Sequence, residues 1–317
     1  MAMYPIEAQR FGIKKEAVRG TAETTPTSWF PVLKGTEFNY SLGLLDNDVL
    51  KGDPTMLAPV AGKKSGAGKI KLPLDAQTCG EVFYSLLGGK AAAQQGGTAA
   101  YKHTFTVAAG LQKPSYTFFY DYGLDIKKYA LGIVKKVSLS GAVDSVGALE
   151  ADILFKNEAT GSIGSPTFPT QRYLAFNQMD FKVAGTSNTD IKDWNLEIDN
   201  GAAPLWTLNQ SQDCIDVVTG GKMDIKGGFT IYFQNETERA KFLANTAVAL
   251  RMIATGPLIA STYYYTVDLN VYEAHYTAFP FGDDSGLLAA KVAFTGYYSA
   301  SDSKAIQVDV TNITTAY

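Results

Sequence analysis

Two histidines, two cysteines and two acidic pairs are the residues of this 317-residue chain whose types could do chemistry: His103 and His275, Cys79 and Cys214, Glu150/Asp152 and Asp283/Asp284. A metal site needs three or four such ligands converging, and a nucleophilic triad needs a Ser or Cys brought to a His that a third group orients. Neither histidine lies at such spacing from a cysteine or an acid. Each sits inside an apolar/polar alternation and reads as a structural histidine. Cys79 and Cys214 fall one in each half, both in apolar settings, and read as buried free thiols. Paired carboxylates can serve as general acid and base, but Glu150 and Asp152 alternate with Leu149, Ala151 and Ile153, as the solvated face of a strand does. The stretch Gly62 to Lys69, GKKSGAGK, approximates a phosphate-cradling loop. It fails in either frame: counted from Gly62, Ala67 stands where glycine is required, and counted on Gly68-Lys69, Ile70 stands where a metal-binding hydroxyl is required. The chain is expected to hold no catalytic site, no cofactor and no metal.

Composition narrows the classes further. With 46% hydrophobic and 19% charged residues the chain can bury two ordinary cores. Thr, Tyr, Phe and Val crowd the period-2 segments and 30 glycines punctuate them, so most of the ordered chain should be strand. A net charge of −3 and the lack of a basic stripe argue against binding nucleic acid by attraction. The opening MAMYPIEAQRFG lacks the charged and apolar regions of a secretion signal, and no apolar run approaches the ~20 residues of a membrane span. The protein is expected to be made in the cytoplasm and to engage no membrane.

The elements that would position these residues are clearest between Gly220 and Gly256. Phe229, Ile231 and Phe233 alternate in a strand; Asn235 can cap a helix, with Glu238 reaching back to close a capping box; Ala240, Leu243, Ala244 and Ala247 then form a short apolar stripe. The same order occurs between Gly68 and Gly89: Ile70, Leu72 and Leu74 alternate, Asp75 caps, Cys79, Val82, Phe83, Leu86 and Leu87 fall at helical spacing, and Gly88 can end the turn. This repetition predicts an internal duplication. The expected architecture is mostly β with short helices: two tandem sandwich or half-barrel domains, each with one short helix packed on its sheet. The expected boundaries are an N-terminal arm over 1–35, a first domain over 36–157 with a long loop at 43–68, a linker over 158–172, and a second domain over 173–317.

The segment Phe11 to Phe38 resembles the opening of the phage tail tube protein family in its Gly12, Lys15, Glu16, Gly20, Thr21, Trp29, Pro31 and Val32. A second resemblance runs through IKDWNLEIDNGAAPLW and GGKMDIKGGFTIYF, where that family has a strand, a second strand and a short helix. The resemblance implies a structural subunit whose sheets join edge to edge into rings, stacked as a conduit for DNA ejection, with tape-measure, terminator and initiator proteins as partners. One chain with two tube domains implies three chains in a pseudo-sixfold ring. DNA would pass without specific binding. On this reading Glu150, Asp152, Asp193, Glu197, Asp199, Asp268 and Asp309, which alternate with core residues, are candidates to line the bore. Leu44, Leu45, Val49, Met56 and Leu57 are candidate anchors by which the 43–68 loop holds a neighbouring subunit. The alternative is a tandem β-sandwich binding module or adhesin.

Overall fold

The computed structural model describes residues 5–46, 49, 52, 53, 55–170 and 173–317. The first part of the chain forms β1 (Arg10–Lys15), β2 (Ser28–Phe30), β3 (Glu37–Leu45), β4 (Val60–Pro73), α1 (Gly80–Leu87), β5 (Gly88–Gln94), β6 (Tyr101–Val107), β7 (Tyr116–Asp121), β8 (Ile126–Ala142), β9 (Ala148–Phe155) and β10 (Asn157–Thr160). The second forms β11 (Met179–Val183), β12 (Thr186–Ser187), β13 (Ile191–Asp199), β14 (Ala202–Leu205), β15 (Asp216–Thr219), β16 (Asp224–Tyr232), α2 (Thr237–Leu243), β17 (Val248–Ala260), β18 (Tyr263–Ala278), β19 (Phe281–Asp284), β20 (Leu287–Tyr297) and β21 (Ile306–Asn312). The protein is mostly β, with two short helices.

The strand pairings repeat. β1 pairs with β2 and β7 as β11 pairs with β12 and β17. β8 pairs with β7, β9 and β10 as β18 pairs with β17, β20 and β21. β4 pairs with β3 and β9 as β16 pairs with β13 and β20. All are antiparallel, and a helix follows β4 and β16 alike. Each part adds one hairpin of its own, β5–β6 in the first and β14–β15 in the second. The parts are sewn together by β8 pairing with β13 and by β6 pairing with β21. One row of strands therefore runs β3–β4–β9–β8–β13–β16–β20–β19, and a second layer contains β11–β17–β18–β21–β6–β5.

Between the layers lies one continuous core instead of two, because the β8–β13 and β6–β21 seams bring both parts onto it. The alternation in β9 shows the logic: Leu149, Ala151, Ile153 and Phe155 are buried, whereas Glu150 and Asp152 are half-buried on the other face. An eight-residue helix is marginal by itself. In α1 Val82, Phe83, Leu86 and Leu87 enter the core, each stabilising by roughly 1.5–3 kcal/mol. Asp75 opens the turn before it, its Oδ1 accepting from the Gln77 amide at 2.7 Å, and Gly88 ends it in the left-handed region at φ 86°.

Several expectations need correction. Residues 10–30 are not an arm: β1 and β2 pair with the sheet and Phe11, Ile13 and Phe30 are core, while residues 1–4 lie outside the described residues. The segment 43–68 is a loop only in its middle: 43–45 and 60–68 are strand, the two sides of a hairpin, while 46, 49, 52, 53 and 55–59 are irregular and positions 47, 48, 50, 51 and 54 lie outside the described residues. Its glycines seat aromatic rings. A Cβ on Gly66 would fall 2.3 Å from the Phe155 ring and one on Gly68 2.6 Å from the Phe38 ring. In the expected linker, β10 pairs with β8 and Ile163 is buried against Trp29 and Phe119; positions 171 and 172 lie outside the described residues. Helix α2 turns the opposite way from its predicted stripe. Ala240, Leu243, Ala244 and Ala247 are exposed, and Glu238 is buried. Asn235 Oδ1 does accept from the Thr237 amide, at 2.9 Å, but Glu238 accepts from Tyr276 Oη at 2.8 Å and Lys241 Nζ at 2.7 Å instead of reaching back.

Candidate functional site

The residues singled out for chemistry are held in structural roles. Burial pulls the His103 imidazole below its ordinary pKa, and its neutral ring donates through Nε2 to the Thr314 carbonyl at 2.7 Å. His275 pairs through Nδ1 with Asn245 Oδ1 at 2.9 Å. Cys79 and Cys214 are free and buried; burial raises both thiols, that of Cys214 to about 11, so neither is a ready thiolate. Residues 62–69 belong to β4, which leaves no phosphate-cradling loop there. Among the described residues no group of three or more His, Cys, Asp or Glu is placed to hold a metal ion.

What the surface offers instead is a charged sheet face, exposed apolar side chains on the β3–β4 hairpin and, among the described residues, edge strands paired on one side alone. Five of the seven candidate bore residues, Glu150, Asp152, Asp193, Glu197 and Asp199, lie on the same polar face, because β9 and β13 flank β8 in register. On that face three lysines interleave with the five carboxylates and pair with three of them. Lys71 Nζ lies 3.1 Å and Lys69 Nζ 3.6 Å from Glu150, Lys69 is 3.8 Å from Asp152, and Lys136 is 2.8 Å from Glu197. Partial burial pushes the Glu150 carboxyl up, but the hydrogen bonds and charges of Lys71 and Lys69 outweigh it and leave the pKa below its ordinary value. The hydrogen bond from Lys136 to Glu197 likewise raises the lysine. Toward one end the face is covered by the β14–β15 hairpin, where Leu131, Ile133 and Leu154 pack on Ala202, Cys214, Trp206 and Val217.

Asp268 and Asp309 are not on this face. They oppose each other across β18 and β21 in the other layer, nearly buried, Asp268 held by Arg251 at 2.6 and 2.9 Å and Asp309 by Lys102 at 3.0 Å. Their alternation with Val267, Leu269, Val308 and Val310 places them off the core, but alternation carries no information on which layer a strand joins.

The β3–β4 hairpin carries the five candidate anchors outward. Leu44, Leu45, Val49, Met56 and Leu57 are all exposed, Met56 to 85%, and Leu42 and Val60 extend the patch. Exposed large apolar side chains gathered on one hairpin are more than the single scattered ones an ordinary surface carries. Its base is braced by the 206–213 loop: Lys64 donates its amide to the Gln212 carbonyl at 2.9 Å, Tyr40 Oη donates to Asp213, and Lys63 Nζ lies 4.4 Å from the Trp206 ring centre. Sequence reading missed this brace; a lone Trp206 in a polar stretch was the available signal.

The Lys-Glu…Gly opening also acquires a reason. Glu16 is buried and accepts four hydrogen bonds, from the Gly20 amide (2.7 Å), Ser115 Oγ (2.7 Å), Thr117 Oγ1 (3.1 Å) and the Leu131 amide (2.7 Å). Gly20 and Leu131 both have positive φ, 77° and 53°. One carboxylate thus fixes a turn in the opening segment to the point where β8 passes from one layer to the other.

An antiparallel fold whose strand pairings repeat, with edge strands paired on one side alone among the described residues and no cluster of catalytic groups there, is that of a structural building block. The chain matches the family model of phage tail tube proteins over residues 7–297, and it belongs to that family. No curated protein matches it. The protein is accordingly a structural component of the virion tail, assembling with other tail proteins into a multimeric tube. No helix among the described residues is long and apolar enough to cross a membrane.

Proposed function

We propose that copies of this chain close into rings, that the rings stack into a hollow tube, and that DNA leaves the capsid through it. The observation that carries this reading is the repeated set of strand pairings, joined in-chain through β8 and β13, within a family of tube proteins. A chain with two equivalent units makes a pseudo-sixfold ring from three copies. Its eight-strand row would then give a closed barrel of roughly 24 strands, wider than the 16–18 of a porin, with a water-filled bore. Closure also removes exposed edges, which otherwise template aggregation.

The polar face carrying Glu150, Asp152, Asp193, Glu197 and Asp199 lines the bore. Interleaved Lys69, Lys71 and Lys136 pair with Glu150, Asp152 and Glu197 and leave Asp193 and Asp199 in excess, so phosphates meet mild repulsion and no cationic site to settle on. The hairpin bearing Leu44, Leu45, Val49, Met56 and Leu57 reaches the adjacent ring. Tape-measure, terminator and initiator proteins set the length and ends.

Electron microscopy of the concentrated protein tests the reading: rings or hollow tubes are expected, and a persistently monomeric protein would overturn it. The hairpin is tested by replacing residues 46–59 with Asn-Gly, a two-residue turn suited to the opposed Leu45 and Val60. Folded rings that no longer stack are expected; normal tubes would remove the hairpin from the stacking contact.

A further inference from the structure

Among the described residues the in-chain seam between β8 and β13 has no counterpart, although both of its strands do. β3 stands to β4 as β13 stands to β16, and the equivalent of β8 is β18 continued by β19. The registers agree in detail. β8 shifts register against β9 between Val134 and Lys136, and β18 shifts against β20 between Tyr276 and Ala278. Beyond the shift Leu139 faces Leu149, and Phe281 faces Ala290. Through the next strands, Ile153 faces Gly68 and Phe294 faces Gly227, and those glycines face Phe38 and Leu196. Phe281 therefore occupies the position of Leu139, and Phe38 the position of Leu196, which are partners in the in-chain seam.

Both equivalent edges are open. Among the described residues β3 pairs with β4 alone and β19 with β20 alone. Pro280 accepts from the Lys291 amide at 3.0 Å, so its missing N–H lies on the β20 side and does not spoil the outer edge. Backbone groups alternate sides along a strand, so Phe279 and Phe281 present theirs outward. On β3 the Tyr122 hydroxyl sits 3.5 Å from the Phe38 carbonyl, too far to satisfy it well. Leu139 and Leu196 are buried at the in-chain seam, whereas Phe281 is 46% exposed.

We infer that β19 of one copy pairs antiparallel with β3 of the next, in the register that β8 and β13 hold within the chain. This rests on the ring reading above and names its edges. Transferring the seam register puts Phe281 opposite Phe38 of the next copy, Gly282 opposite Glu37, and Ala278 opposite Ser41. The last two couples are non-hydrogen-bonded positions on the polar face, where opposed side chains approach most closely. The eight-strand row then continues from copy to copy, and the exposed Phe281 ring is covered by its neighbour.

The test is engineered disulfides in assembled protein, with Cys79 and Cys214 left in place because they are buried. Glu37→Cys with Gly282→Cys, and separately Ser41→Cys with Ala278→Cys, should give a reducible ladder of covalent oligomers. A Cβ at Gly282 meets nothing within 4 Å. Ser41→Cys with Gly282→Cys, displaced by four residues or about 13 Å along the strand, should remain monomeric on a denaturing gel. Rings that form while neither matched pair cross-links, or while the displaced pair cross-links equally, overturn the edge assignment and leave the ring reading intact. Absence of rings from the unaltered protein overturns the ring reading itself. Phe281→Asp supplies an independent arm: a folded protein with ring formation reduced at least tenfold is expected, and rings at the unaltered level overturn the assignment.

Discussion

Replacing Glu16 tests whether one buried carboxylate holds the opening segment onto the sheet. Glu16→Ala removes the acceptor from two hydroxyls, which can rotate toward other partners, and from the Gly20 and Leu131 amides, which cannot. A buried donor left unsatisfied costs roughly 1–3 kcal/mol, so the two amides together predict a loss of about 2–6 kcal/mol, offset in part by relief of the buried charge. Glu16→Gln is the informative control. Each carboxylate oxygen accepts two bonds, Oε1 from Thr117 and Leu131 and Oε2 from Gly20 and Ser115. Whichever way the amide is turned, its NH₂ meets a backbone N–H, so glutamine forfeits one amide bond, roughly 1–3 kcal/mol. Urea unfolding of dilute protein followed by tryptophan fluorescence should rank the forms Glu, then Gln, then Ala. An alanine variant within 1 kcal/mol of the parent, or a glutamine variant equal to it, would refute the reasoning.

Other expectations follow from the same geometry. Burial pushes the Glu81 carboxyl up to about 7, against the opposing pull of its hydrogen bond from Ser28 and the charges of Lys15 and Lys90. Because the folded value exceeds the unfolded one, its contribution is fully present below pH 4.5 and is lost as pH rises through 7. Glu81→Gln should match the parent near pH 4 and exceed it at pH 8 by roughly 3 kcal/mol; a pH-independent difference in thermal melts would contradict this. Replacing Glu150, Asp152, Glu197 and Asp199 together by lysine breaks the pairs with Lys69, Lys71 and Lys136 at modest cost, since exposed pairs contribute about 0–1 kcal/mol each. Tubes should still assemble, but DNA ejection should stall at low salt and recover at high salt, where screening acts within roughly 8–10 Å. Unchanged ejection at low salt would show that this face does not line the bore.

Much of the fold was legible because its signals are local. Alternation in Leu149–Phe155 and helical spacing from Cys79 to Leu87 each state how a segment buries its own apolar side chains, and Gly88 marks its helix end by the φ it needs. The recurrence of strand, helix and strand could be read for the same reason.

Tertiary structure alone decided which layer a strand entered and what a glycine was for. Gly66 and Gly68 read as loop punctuation until the rings of Phe155 and Phe38 lay across them. Phe11 and Ile13 looked like part of a loose arm because the short β2 beside them is joined to the rest of the sheet only through β1 and its pairing with β7, more than a hundred residues away. Asp268 and Asp309 alternate as Glu150 and Asp152 do, yet β18 changes layers along its length and carries Asp268 away from the polar face. In α2 a buried Glu238 outweighs a stripe of three alanines and Leu243, because Tyr276 and Lys241 supply its partners and the small alanine side chains gain little by burial. Period-2 and period-3.6 patterns report which side of an element meets a core; they carry no information about which distant element provides it.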